Sequence, residues 1–254
     1  MRFKLKLHVD KAEGDLLPLN YHYELSSAIY RILSQHDDGY AQWLHDVGYR
    51  NGNKRFKLFN FSDLYVPRYE ISGDRMKVLS DFVEWELSFL FNEGCANFIH
   101  GVFKGQHFRV ADKISGVDFR IDEIEMVPAP EISGNMCFRT VSPVCVSVPV
   151  KDRPPKYLSP EDEGYADALL EGLLSRYMAA YGKGYVGETF CDFRLAGKPK
   201  PVLLTIKADT PQQTRVKGYR FDFRINLPIE LMRLMYDCGL GEKSSLGFGM
   251  IKII

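Results

Sequence analysis

The chain has 254 residues, of which 45% are hydrophobic and 26% charged, so it can bury one large core or two of ordinary size and is not expected to be disordered. Lys and Arg together number 33, as do Asp and Glu, and the formal net charge is zero. Unselective coating of nucleic acid is driven by counterion release and requires a basic protein, so any nucleic-acid site here must be local.

The cysteine pattern and the N-terminus indicate the cellular compartment. The five cysteines are odd in number and scattered, with no Cys-x-x-Cys pair, which favours neither a disulfide framework nor a zinc site. The N-terminal MRFKLKLHVD lacks the apolar core of a signal peptide, and no apolar run approaches the ~20 residues of a membrane span. We therefore expect a cytoplasmic protein with no membrane partner.

The first half of the chain alternates strand patterns with helix patterns. In chain order, these predict a strand at 2–9, helices at 23–35 and 40–47, a basic loop at 49–57, strands at 58–61 and 64–69, a helix at 78–91, and strands at 96–99, 108–110 and 119–126. Without the small helix at 40–47, this order is that of a ferredoxin-like domain.

A Pro- and Gly-rich stretch at 127–135 is the best candidate for a domain boundary, and we divide the chain into domains 1–128 and 129–254. Beyond it we predict a strand region at 136–150, a helix at 162–181, a pair of strands at 190–195 and 202–207, a strand at 219–227, a helix at 229–236 and a closing strand at 246–254. The predicted class is α+β, with two tandem ferredoxin-like (RRM-like) domains and a C-terminal glycine-rich loop.

The glycine-rich loop consists of two Gly-x-Gly pairs around a polar segment. Its members are Gly239, Gly241, Glu242, Lys243, Ser244, Ser245, Gly247 and Gly249. Glycine can adopt positive φ and lets a ligand approach the backbone closely, while successive exposed amides can bind an anion. A helix-like run precedes the loop and a strand follows it, so neither the dinucleotide fingerprint nor the P-loop pattern is met. The alternative is a helix C-cap at Gly239 joined to a strand by a turn.

A basic stripe precedes this loop and is opposed only by Asp209 and Asp222. It contains Arg194, Lys198, Lys200, Lys207, Arg215, Lys217, Arg220 and Arg224. Such a stripe is typical of a surface that follows a nucleic-acid backbone, although a solvated strand face has the same composition. Tyr219, Phe221, Phe223 and Ile225 alternate with the charged positions, which favours core packing for these four residues.

Helical phase separates two further residues from the predicted core. Tyr30 lies on the opposite side of its helix from Ile29 and Ile32, and His45 lies away from the apolar face of the next helix. Both are predicted to face water beside the basic loop that contains Arg50, Lys54 and Lys57. Because the ordinary pKa of histidine suits proton transfer near neutrality, His45 is a candidate acid or base; an exposed histidine without a function is the alternative.

The terminal GLGEKSSLGFGMIKI closely resembles the glycine-rich signature of the RAMP superfamily, in particular the CRISPR repeat-processing endoribonucleases, the sixth CRISPR-associated protein family. The resemblance continues through MRFKLKL, LSSAIYRIL, AQWLHDVG, FKLFNFSDL, SPVCVSVPV and SRYMAAYG, and so spans most of the chain. It implies a metal-independent cut in CRISPR repeat RNA, without a cofactor. It also implies catalytic roles for Tyr30, His45 and Lys57, with Lys54 as the alternative lysine.

The family resemblance also indicates partners and rivals. The implied partner is CRISPR repeat RNA, and other CRISPR-associated proteins of a surveillance complex and a homodimer are left open. The RNA-binding residues would come from the basic loop (Arg50, Lys54), the stripe (Arg194, Lys198, Lys200, Arg215, Lys217, Arg220, Arg224) and the glycine loop. The rivals are a non-catalytic guide-RNA-binding subunit of the same superfamily and a small-molecule phosphoryl-binding enzyme.

Overall fold

A computed structural model describes residues 1–90, 107–208 and 210–254. The first half of the chain forms ten strands and two helices in that part. These are β1 (Arg2–Asp10), β2 (Leu16–Pro18), α1 (His22–His36), α2 (Asp38–Asp46), β3 (Tyr49–Asn51), β4 (Lys54–Phe56), β5 (Phe59–Phe61), β6 (Tyr69–Ser72), β7 (Arg75–Val78), β8 (Phe82–Phe89), β9 (His107–Ala111) and β10 (Gly116–Val127).

The main sheet of this half has the strand order β5-β8-β1-β10-β9, and its strands are antiparallel. The central strand β1 alternates buried and half-buried residues, because Phe3, Leu5, Leu7 and Val9 all turn into the core. Helix α1 buries Leu25, Ile29 and Ile32 in the same cluster of side chains. The sheet therefore has the ferredoxin-like arrangement, with β9 added at one edge.

Two predictions for this half are wrong. The helix predicted at 78–91 is the end of β7 followed by β8, in which Val83, Trp85 and Leu87 are buried at every second position. The strand predicted at 64–69 is a single bridge between Tyr65 and Glu84, and β6 starts only at Tyr69. The strand predicted at 96–99 lies outside the described residues.

The second half repeats the same unit. Its elements are β11 (Asn135–Thr140), β12 (Ser147–Val150), β13 (Arg153–Tyr157), α3 (Tyr165–Tyr181), β14 (Asp192–Leu195), β15 (Lys200–Ile206), β16 (Thr214–Arg220), β17 (Asp222–Asn226), α4 (Ile229–Cys238), a 3₁₀ turn (Ser244–Leu246) and β18 (Ile251–Ile253). The strand order β14-β17-β11-β18 matches that of the first unit. The prediction of two tandem ferredoxin-like domains is confirmed; the division after residue 128 stays a prediction.

The predicted strands at 190–195 and 202–207 exist but do not pair with each other. β14 pairs with β17, whereas β15 pairs with β16 in a separate hairpin. The strand predicted at 219–227 is interrupted at Phe221, whose amide group donates to Thr140 Oγ1 at 3.1 Å. The four apolar residues of this stretch are all buried, as predicted: Tyr219, Phe221, Phe223 and Ile225. Because their alternation continues through the interruption, the sequence pattern does not indicate where the strand breaks.

The two domains share polar contacts that originate in β1 and β8 of the first domain. Arg2 is only 4% exposed, and its guanidinium donates to the carbonyl oxygens of Ile251 at 2.8 Å and Tyr236 at 3.1 Å. Ser88 Oγ donates to the carbonyl oxygen of Asp237 at 2.8 Å. These bonds satisfy groups that burial would otherwise leave without water, so they fix how the second domain lies on the first.

A second contact between the domains is centred on Asp63. Its carboxylate lies 2.9 Å from His22 Nε2 and also accepts a hydrogen bond from the Arg220 guanidinium, which in turn donates to the Val141 carbonyl oxygen at 3.2 Å. Burial acts to raise the pKa of Asp63, but the hydrogen bonds and charges of His22 and Arg220 outweigh it and hold this pKa below its ordinary value.

Replacing Asp63 with alanine is expected to destabilise the protein by about 2 kcal/mol at neutral pH, because the half-buried Arg220 loses its carboxylate. A depressed carboxyl pKa contributes stability above the unfolded pKa and loses it as the pH falls through the folded pKa. The difference between wild type and variant should therefore shrink in urea unfolding below the ordinary Asp range. Asp81→Ala, which removes an exposed partner of Lys11, is the control; equal losses for both variants would contradict the role of Asp63.

Among residues 1–90, 107–208 and 210–254, none of the helices has the length and apolar composition that crossing a membrane requires.

Candidate active site

The end of helix α2 brings three sequence-predicted residues together. The Asp37 side chain caps the start of α2 by accepting from the Tyr40 amide at 2.8 Å, and the amides of Val47 and Gly48 both donate to the Trp43 carbonyl oxygen at its end. Gly48 has φ +61°, which ends the helix and turns the chain into the β3–β4 hairpin. The hairpin then returns Lys57 to the end of α2.

Tyr30 and His45 form the first contact of the site. Their rings meet edge to face, with centroids 5.1 Å apart and planes at 85°. The His45 side chain is 67% exposed, as predicted, but Tyr30 is half-buried and also packs on Phe59, so the prediction that it faces water holds only in part. Burial raises the pKa of the Tyr30 phenol, which therefore keeps its proton and remains a hydrogen-bond donor.

Lys57 attaches the hairpin to this pair. Its ammonium group donates to the carbonyl oxygen of Leu44 and, at 2.6 Å, to that of His45. Both carbonyl groups belong to the last turn of α2, where a cation also interacts favourably with the helix dipole. Burial, followed by the charges of Arg55 and Arg50, lowers the pKa of Lys57. A Cβ on Gly48 would lie 3.2 Å from Lys57 Nζ, so glycine at that position leaves room for the lysine.

The alternative lysine has different neighbours. Lys54 is exposed, and its ammonium group lies 3.3 Å from the Glu171 carboxylate of α3. Beside it, Asn51 Nδ2 donates to Ser175 Oγ at 2.9 Å, so this face of the hairpin lies against the second domain. The geometry therefore brings Lys57 to His45 and leaves Lys54 on the α3 side.

Arg55 was not among the predicted site residues although it lies in the same basic loop. Its Nη1 donates to the Asp46 carbonyl oxygen at 2.9 Å, which adds a second cation to the end of α2. Arg50 is its direct partner across the hairpin, and like charges placed opposite each other on a hairpin are unfavourable. An anion bound there would relieve the repulsion. The sequence could have indicated that Arg50 and Arg55 face each other if a hairpin had been predicted in place of the loop at 49–57.

Most glycines of the glycine loop pack against the protein itself. Gly239, Gly241, Gly247 and Gly249 all have positive φ, but three of them, Gly239, Gly247 and Gly249, are buried against the protein itself. A Cβ on Gly247 would lie 2.5 Å from the Phe61 ring and 2.7 Å from the His22 ring of the first domain. The missing side chains thus allow close packing within the protein, so these three positions expose little surface, and their contact with RNA stays a prediction. Gly239 also ends α4, as the alternative reading expected.

A buried arginine, missed from sequence, holds the loop. The Arg176 guanidinium on α3 donates to the carbonyl oxygens of Gly239 and Gly241 and is only 3% exposed. Lys243, with φ +58°, then precedes the 3₁₀ turn, which consists of the two serines and Leu246. Within the described part of the chain, the amides of Lys243, Ser244 and Ser245 find no hydrogen-bond acceptor. Successive free amides of this kind suit an anion.

A cleft of about 680 Å³ joins the hairpin to this turn. Its basic lining comes from Lys54, Arg55 and Lys57 on one side and from Lys243 and Arg176 on the other, and both loop serines line it as well. The Glu242 carboxylate, which also lines the cleft, is held by the Ser147 amide at 2.8 Å and the Ser147 hydroxyl at 2.9 Å. The predicted Lys57 and the predicted loop residues thus border one cavity.

The basic stripe is divided among three places. Arg194 pairs with Asp192 and Arg224 with Asn135 around a cavity of about 160 Å³ on the C-terminal sheet. The exposed cations of the β14–β15 turn and the β15–β16 hairpin are Lys198, Lys200, Arg215 and Lys217. The predicted phosphate contact at Arg220 needs correction, because its guanidinium is occupied by Asp63 and Val141 between the domains.

In the described ranges, no group of three or more His, Cys, Asp or Glu side chains is arranged to hold a metal ion.

Comparison with known proteins matches the whole chain to one family. The family model for the C-terminal part of the CRISPR-associated protein Cas6 matches residues 127–253, and the N-terminal Cas6 model matches residues 16–125. A Cas6 endoribonuclease-like protein of Pyrococcus furiosus is 30% identical over 100% of this chain and 99% of its own. The CRISPR-associated endoribonuclease Cas6 1 of Methanocaldococcus jannaschii is 26% identical over 99% of this chain and 92% of its own.

Among solved structures, that of a Cas6-related gene from Pyrococcus furiosus superposes with a TM-score of 0.84 at 28% identity, covering 100% of this chain and 98% of that one.

Proposed function

The chain belongs to the Cas6 family of CRISPR-associated proteins, and on that premise we propose that it is a metal-independent endoribonuclease that binds CRISPR repeat RNA and cuts it into guide RNAs. The observation that carries the proposal is the meeting of Tyr30, His45 and Lys57 at the end of α2, where Lys57 also borders the basic cleft. The arrangement offers a proton carrier, a phenol and a cation on neighbouring residues, the groups that cleavage at a phosphate uses.

The chemistry needs no external nucleophile. The RNA 2′-oxygen lies next to its own phosphorus, so positioning it in line with the leaving 5′-oxygen makes the displacement intramolecular. The bond from the 2′-oxygen to phosphorus forms as the bond to the 5′-oxygen breaks. The products are a 2′,3′-cyclic phosphate, or the 3′-phosphate that follows it, and a 5′-hydroxyl.

Each of the three side chains has a role in that step. His45, the exposed imidazole, takes the proton of the 2′-hydroxyl or gives one to the 5′-oxygen, a role worth ~10²–10⁴-fold. Lys57 keeps a third N–H beyond those it donates to Leu44 and His45, and this N–H stabilises the charge on the phosphoryl oxygens. The protonated Tyr30 phenol orients the hydroxyl or the phosphate.

The cleft is the proposed path of the RNA backbone away from the cut. Lys54 and Lys243 line it from opposite domains, and the free amides of the 3₁₀ turn lie between Lys243 and Leu246. Phosphates can bind to both kinds of group without any reading of base sequence.

Replacing Lys54 and Lys243 together with alanine is expected to weaken binding of repeat RNA and to reduce the slope of log affinity against log salt by about 1.4, roughly 0.7 for each lost phosphate contact to a single strand. Filter binding over a series of salt concentrations measures both quantities. The matched control is Lys11→Ala with Lys77→Ala, which removes the same charge outside the cleft lining. If the control pair lowered the slope as much, the RNA would not follow this cleft.

Metal removal tests the reaction class. We expect labelled repeat RNA to be cut at the same rate in excess EDTA and in excess Mg²⁺, because the nucleophile is part of the substrate. A protein that only holds guide RNA would bind the repeat with the same salt dependence and leave it intact under both conditions. Cutting that requires Mg²⁺ would exclude the proposed mechanism.

A further inference from the structure

Asp46 contacts the candidate proton carrier directly. Its Oδ1 lies 2.7 Å from His45 Nδ1, a distance typical of a charge-assisted hydrogen bond. Both side chains are exposed, the carboxylate at 56%, so an RNA can reach the pair from solvent. The imidazole ring also makes the edge-to-face contact with Tyr30.

The groups around His45 differ in charge. Tyr30 faces the His45 ring from α1 and is uncharged. The cations Arg50 and Arg55 of the β3–β4 hairpin, and Lys57 just after it, approach the end of α2. Asp46 is the negatively charged group in direct contact with the ring. The pKa of Asp46 lies below its ordinary value, chiefly because its carboxylate accepts a hydrogen bond from His45. The positive charges of His45 and Lys57 add to this effect, and burial opposes it only in part.

An ionised carboxylate can only accept a hydrogen bond. When His45 is neutral, the proton must therefore lie on Nδ1 for this contact to be favourable, which leaves the lone pair on Nε2. When the ring is protonated, Nε2 carries the proton that can be given away. One nitrogen of the ring is thus assigned to the substrate in both protonation states.

We propose that Asp46 is a positioning residue that fixes the orientation and tautomer of His45, so that Nε2 exchanges the proton with the RNA. The inference deepens the proposed function and rests on it for its catalytic consequence. The arrangement of His45 and Asp46 itself does not depend on whether RNA is cut.

The test uses the full chain, Asp46→Asn and a control, Asp38→Asn, which removes the same charge from the opposite end of the same helix. The first readout is ¹⁵N NMR of the ring nitrogens, with His45→Ala used to assign the signal. In the wild type with a neutral imidazole ring, we expect the proton on Nδ1. In Asp46→Asn, the two tautomers should mix, while Asp38→Asn should match the wild type.

The second readout is the rate of single-turnover cleavage. Asp46→Asn is expected to cut about tenfold more slowly, a part of the ~10²–10⁴-fold due to His45. A wild-type ring protonated on Nε2, or an Asp46→Asn protein with unchanged tautomer and cleavage rate, would overturn the proposal. If the wild type cuts nothing, the proposed function fails while NMR still decides the role of Asp46.

Discussion

Replacing His45 with alanine is expected to lower the single-turnover rate of repeat-RNA cleavage by about 10²–10⁴-fold, the range for loss of a general acid or base. The imidazole is exposed at the end of α2 and buries no partner in the core, so the variant should fold as the wild type does. Its RNA affinity should also be preserved, because phosphate contacts to lysine, arginine and backbone amides supply most of that affinity.

The control is His107→Ala, which removes another exposed histidine, on β9. We expect that variant to bind and cut like the wild type. Both rates are measured with enzyme in excess over end-labelled RNA, and affinity is measured separately at the same salt concentration. Full cleavage by His45→Ala would remove this histidine from the mechanism.

Gly249→Ala is expected to destabilise the protein by on the order of 3 kcal/mol, combining left-handed backbone strain with overlap in a packed site. Gly249 has φ +84°, and a Cβ there would overlap the Leu240 carbonyl oxygen. The backbone cannot easily move aside, because the Gly249 amide donates to the Pro143 carbonyl oxygen and the Gly249 carbonyl oxygen accepts from the Leu240 amide, both at 2.8 Å.

Gly73→Ala separates the two parts of that loss. Gly73 has φ +60°, and a Cβ there would meet nothing within 4 Å, so only the backbone strain of about 1–2 kcal/mol remains. Urea unfolding of both variants measures the difference. If Gly249→Ala cost no more than Gly73→Ala, the close approach at Gly249 would not be what stabilises the loop. At low temperature, folded Gly249→Ala should retain the chemical step.

Local patterns predicted the elements that carry the site, because α1 and α2 have an apolar face with helical spacing and β1 has strict alternation. They failed at the end of β7 and in β8, where Val78, Phe82 and Trp85 also satisfy a helical spacing and only pairing of β8 with β1 selects the strand. A local pattern contains no information on which strand a segment will pair with.

The remaining errors at the site arise from contacts between distant segments. Helical phase places Tyr30 away from the core of α1, but Phe59 of β5 covers it from outside that helix. Charge clustering placed Arg220 on an RNA surface, although Asp63 of the other domain binds it. The three buried glycines likewise pack against other parts of the protein, which the sequence did not indicate. Composition indicates a charge or a missing side chain but not its partner.

The most direct test of the mechanism uses a repeat RNA with 2′-deoxyribose at the single nucleotide that precedes the cut. We expect the wild-type protein to bind this RNA as tightly as the unmodified repeat but to leave it intact in EDTA, while the unmodified RNA is cut to a 2′,3′-cyclic phosphate (or 3′-phosphate) and a 5′-hydroxyl. Cleavage of the deoxy-substituted RNA at the same position would show that the 2′-hydroxyl is not the nucleophile and would exclude the proposed mechanism.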